Sequence, residues 1–156
     1  MSFYTPPLSD ETLELFEVSI LQARYRFANR ALLREALQSL NHFFEKNKIQ
    51  KVLALAGDAT LRQALVDQGH QRDKSPEEIE NAVKQVACNE NLRKKGNDAG
   101  IDPFIIKHPG QLGQPAGRVV MATTVEAIIG AVWYDSQKNI NDCEIVMAAL
   151  GLAWPE

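Results

Sequence analysis

VVMATTVEAIIGAVWY, residues 119–134, decides how the rest of the chain is read. Val119, Val120, Met121, Val125, Ile128, Ile129, Val132 and Trp133 fall on every side of a helical wheel. A helix that is apolar all round is a buried one. Glu126 stands in its middle. A glutamate is almost never fully buried unless something pairs with it. Left unpaired, it costs several kcal/mol or gives up its charge. The helix is expected to stop near Ser136, before a polar loop over residues 137–141.

A second stretch answers the first. Ile49, Val52, Leu53, Leu55, Leu61 and Leu65 mark a long helix over residues 49–66, with LALAGDATL at its centre. Gly57 inside a helix costs about 1 kcal/mol against alanine, so close packing is expected there. Asp58 follows it, a second acid among apolar neighbours. Two apolar helices with one central acid each are most simply explained if they cross and the acids meet. Facing carboxylates repel, so one is protonated or a cation lies between them. Magnesium is held by one or two protein carboxylates plus waters and substrate phosphates. That arrangement points to phosphodiester hydrolysis by metal-activated water. The alternative is that hydroxyls, backbone or a lysine satisfy each acid separately.

The remaining residues frame these two helices. Met1 to Leu8 reads as an irregular arm held extended by Pro6 and Pro7. Ser9 caps a first helix reaching about Gln22, and Asn29 caps a second that carries Leu32, Leu33, Ala36, Leu37 and Leu40 inward and Arg30 and Arg34 outward. Residues 41–47 form a polar joint and residues 68–74 a polar loop. Ser75-Pro76-Glu77-Glu78 is a helix start, with cap, proline and acids in order. Asn89 begins a short helix closed by Gly100, residues 102–117 are loop, and a last helix ends at Gly151. No alternating strand or internal repeat is present, so the reading is one all-α domain.

Composition narrows the class. The 156 residues are 45% hydrophobic and 24% charged, enough for one core. No charge-free apolar run reaches the roughly 18 residues of a membrane span. The acidic start lacks a basic leader, so the protein is expected to be intracellular, most simply cytoplasmic. Cys88 and Cys143 are read as reduced thiols, and His42, His70 and His108 as solvated. A net charge of −3 excludes a general nucleic-acid glue but not a local basic face.

Four segments together resemble the ribonuclease III catalytic domain: RFANRALLREAL (26–37), LALAGDATL (53–61), NENL (89–92) and above all MATTVEAIIGAVWYDS (121–136). Order and spacing agree from about residue 20 to 152. The resemblance implies the all-helical endonuclease-domain bundle over residues 20–152, preceded by the arm and first helix over 1–19 in the same unit. It also implies a homodimer and magnesium-dependent cleavage of double-stranded RNA. The family's separate double-stranded-RNA-binding domain is not expected in a chain that ends at Glu156.

The family's acids map unevenly onto this chain. Its first pair, one turn apart, keeps Asp58 but has Ala54 at the other position; its second pair, three apart, keeps Glu126 but has Thr123. A further acidic position is Lys51. Asp58 and Glu126 are thus the implied catalytic and metal-binding residues. Lys51 shares a helix face with positions 54 and 58 and is placed to neutralise either acid and replace the metal. Asp135 is expected to cap or end its helix. Two functions follow. One is a domain that binds structured RNA in RNA processing or assembly, similar to the superfamily's ribosomal-protein members. The other is a magnesium-dependent endoribonuclease of weak or altered specificity. In either case Arg93, Lys94, Lys95, Lys107 and Arg118 are the residues expected to contact RNA, in a salt-sensitive way.

Overall fold

The computed structural model describes residues 8–39, 48–107, 110 and 113–156. Seven α-helices lie among them: α1 Asp10–Ser19, α2 Arg30–Ala36, α3 Lys48–Gln71, α4 Pro76–Ala87, α5 Asn89–Ala99, α6 Arg118–Asp135 and α7 Ile140–Ala149. Their starts follow the cap residues. Ser9 accepts from the Thr12 N–H and Asn29 from that of Ala31. Ser75 and Glu78 form a reciprocal capping box ahead of α4. Gly100 ends α5 in the left-handed region, at φ 86°. No helix among the described residues is long and apolar enough to cross a membrane.

α6 is the axis of the bundle. Met121, Val125, Ile128, Ile129 and Val132 are wholly buried, as its all-round apolar pattern predicts. α3 packs along it most extensively, with α5 and α2 against its other sides and α4 behind α3. α1 joins the same core through Leu13 and Phe16. α3 and α6 touch backbone to backbone. A Cβ on Gly57 would lie 1.7 Å from the Glu126 carbonyl oxygen, and one on Gly130 would lie 1.9 Å from that of Leu53. Only glycine permits that approach.

Four details differ from the sequence reading. α1 stops at Ser19, because Gln22 and Ala23 turn left-handed (φ 56° and 57°). α2 stops at Ala36, and the chain then runs extended. β1 (Gln38–Ser39) pairs in parallel with β2 (Ile106–Lys107), a two-residue sheet inside what reads as loop. α3 continues into the expected loop, to Gln71. Gln68 is buried there and its Oε1 accepts the Trp154 N–H at 2.7 Å, while Gly69 packs under the Trp154 ring. Residues 1–7, the joint at 41–47, Leu40, His42 and His108 lie outside the described residues. His70 is exposed, in the last turn of α3. Cys88 is exposed and Cys143 buried, both as free thiols.

Candidate functional site

The glycine contact brings the two acids together. Gly57 sits against the Glu126 carbonyl, so Asp58, the next residue, meets the Glu126 side chain. The two carboxyl groups are close enough to interact, and facing acids are relieved when one of them carries a proton. Burial pushes the Glu126 carboxyl up to about 8, and the Asp58 hydrogen bond and charge add to the shift, against a smaller opposing effect of Arg62. Glu126 is therefore largely protonated at neutral pH.

The pair faces a groove of about 360 Å³ lined by Lys51, Ala54, Leu55, Asp58, Thr123 and Glu126. Thr123 and Glu126 are both half-buried, one turn apart on the side of α6 left uncovered there. Ala54 and Thr123 bring a methyl and a hydroxyl where further acids would complete a metal-binding set. Among the described residues, no group of three or more His, Cys, Asp or Glu side chains is placed to hold a metal.

The cation on Asp58 is not Lys51 but Arg62. Its Nε donates to both Asp58 oxygens at 3.1 Å, from one turn further along α3. Lys51 is exposed and lines the groove, but it pairs with neither acid among the described residues. Arg62 already engages both Asp58 oxygens, and positions 54 and 123 add no further carboxylate to the groove. These residues do not fit a magnesium ion, which needs free carboxylate oxygens.

The expected RNA contacts divide. Arg93 on α5 is ion-paired with Glu90, and Arg118 at the start of α6 also acts electrostatically on Glu90, so the two share one edge. Lys94 is exposed and lies with Lys95 in a hollow beside Gly151 and Trp154, away from that edge. Lys95 lays its stem over Gly151, just past α7. Lys107 is a correction to the sequence reading. Its Nζ donates to Asp102 at 3.0 Å and to the Gln114 carbonyl at 2.7 Å, so it ties these two residues together instead of facing outward.

Asp135 ends α6, as expected, and has a structural task besides. It accepts from the Tyr25 hydroxyl at 2.6 Å and from the Ala28 and Asn29 N–H groups at 2.9 and 2.8 Å. Burial and this carboxylate hold Tyr25 protonated. Sequence reasoning missed Arg62, although an acid four residues before a base on one helix is a readable signal. It also passed over Glu17, which is 3% exposed and bound by Arg30 and the Phe27 N–H.

Comparison with known proteins bears on this geometry. The Ribonuclease III domain family model matches residues 51–137, which include the whole groove. Ribonuclease 3 of Shewanella denitrificans is 30% identical over 134 residues, and that of Shewanella piezotolerans 31% over 123. These matches take in 83% and 76% of this chain but 55% and 52% of the relatives, so the chain spans about half their length. The nuclease domain of ribonuclease III from Campylobacter jejuni superposes with a TM-score of 0.69 at 21% identity, over 91% of this chain and 93% of that one. A second structure of that domain, described for flexibility in a region involved in dimer formation, also gives 0.69, at 19% identity, over 85% and 95%.

Proposed function

Because this chain belongs to the ribonuclease III domain family, we propose that it is a homodimeric domain that binds structured or double-stranded RNA in RNA processing and has lost metal-dependent cleavage. One observation carries the reading. In the groove that holds Asp58 and Glu126, positions 54 and 123 are alanine and threonine, and Arg62 occupies Asp58. The RNA-facing charge comes from Arg93 and Arg118 at the α5–α6 edge and from the exposed Lys94, with Lys51 at the groove. Self-association is supported by a stripe on α3, where Ile49, Val52 and Leu55 are 50%, 47% and 73% exposed. Apolar side chains gathered in this way are usually covered by a partner.

A second reading has one observation in its favour. Asp58 and Glu126 lie side by side in an open groove, and their deprotonated forms are the ligands that a magnesium-dependent endoribonuclease would use. The protein's own part would be to orient the two carboxyl groups through the Gly57 contact.

The experiment is a pair of titrations with long duplex RNA. Binding is followed across salt in EDTA, and strand length across a magnesium gradient. The expected result is binding that weakens steeply with salt and RNA that stays intact at every magnesium concentration. RNA cut in proportion to magnesium, with cutting lost in Glu126→Gln, would establish the second reading instead.

A further inference from the structure

α3 presents Lys51, Asp58 and Arg62 along one face, at helical spacings of seven and four residues. The acid therefore has a basic residue on either side. Arg62 grips both Asp58 oxygens through Nε at 3.1 Å. The acid precedes the base at i,i+4, the favourable order for such a pair. Guanidinium is planar and stays charged, so it can meet both oxygens of a carboxylate at once. Glu126 covers Asp58 from α6, and Lys51 lines the open end of the groove.

We propose that Arg62 is a built-in counter-cation, replacing the divalent ion as the partner of the Asp58–Glu126 pair and keeping such ions out. The inference rests on the reading that metal-dependent cleavage is lost, and it gives that loss a second cause besides Ala54 and Thr123. The pair is accessible, with side-chain exposures of 52% for Arg62 and 34% for Asp58. Such a pair contributes little to folding, so its removal leaves the domain intact. A dication feels the guanidinium twice as strongly as a single charge would, at a few ångströms and in a partly dry groove. Arg62 is thus a determinant of ion binding more than of stability.

The test uses Mn2+ as the probe and reads free Mn2+ by electron paramagnetic resonance. It compares the wild-type chain with Arg62→Gln, Arg62→Lys and the double variant Arg62→Gln/Asp58→Asn. Arg62→Gln is expected to bind Mn2+ about tenfold more tightly than wild type. Arg62→Lys, which keeps the charge, should stay near wild type, and the double variant should lose the gain. Equal affinity in wild type and Arg62→Gln overturns the proposal. A gain that persists in the double variant also overturns it, because the ion then binds elsewhere. Duplex-RNA binding is measured in EDTA on the same preparations. Its absence would overturn the RNA-binding reading, whatever the ion does.

Discussion

Glu17 and Glu126 are both withdrawn from water, and the contrast between them locates the function. Glu17 has a complete set of partners. Arg30 donates to both its oxygens, through Nη2 at 2.8 Å and Nε at 3.3 Å, and the Phe27 N–H adds a third bond at 2.9 Å. Glu126 has another acid instead, and a groove beside it. A buried charge that is fully paired belongs to the architecture. Two carboxyl groups held together are an arrangement that folding alone would avoid. The difference lies in the partners, since both residues are glutamates on helices.

The largest expected effect comes from disturbing what positions Glu126. Gly57→Ala places a methyl 1.7 Å from the Glu126 carbonyl oxygen, which is backbone and cannot swing aside. The cost should be about 3 kcal/mol, the upper part of the usual overpacking range, and α3 and α6 should part. A denaturant melt measures the first. Separation of Glu126 from Asp58, seen as a fall in the Glu126 pKa by carboxyl NMR, measures the second.

One conservative change made at both glutamates sharpens the contrast, because its sign should reverse. Glu17→Gln removes the charge that Arg30 and the Phe27 N–H rely on and should cost about 2–3 kcal/mol. Glu126→Gln mimics the protonated form the site already prefers. The carboxyl is raised to about 8 from an ordinary 4.5. Its contribution is therefore fully present below pH 4.5 and is lost as pH rises through 8. Glu126→Gln should match wild type at low pH and exceed it above pH 8. Discounted for partial solvent screening, the gain is about 1 kcal/mol, or about 2–4 °C in Tm for a chain of this size. Melts across pH would show a destabilised variant and a stabilised one. Destabilisation of both at high pH would erase the distinction between the two glutamates.

The legible parts of the chain were those with local causes. α6 was readable because its burial is nearly continuous, and α4 because Ser75, Pro76 and Glu78 carry its start within four residues. The meeting of Asp58 with Glu126 was readable because both interrupt apolar helices and a glycine stands beside one of them. What escaped depends on partners far along the chain. The β1–β2 pair is two residues on each side and leaves no alternation to see. α3 runs on to Gln71 because Gln68 and Gly69 engage Trp154, 86 positions after Gln68. Glu17 looks like one acid among several on α1 until Arg30 folds against it. Arg62 was hidden differently. Its partner is one turn away, but a single i,i+4 pair is common on any helix.

The Asp135 clamp sets an order of events. Its three donors come from residues 25–29, more than a hundred positions upstream. No local structure can stand in for that carboxylate, and closing so long a loop is entropically slow. During synthesis residues 25–29 leave the ribosome first and find their acceptor late. For that interval the start of α2 is held only by its own Asn29 cap and by Glu17, and the Asp135 clamp closes over it afterwards.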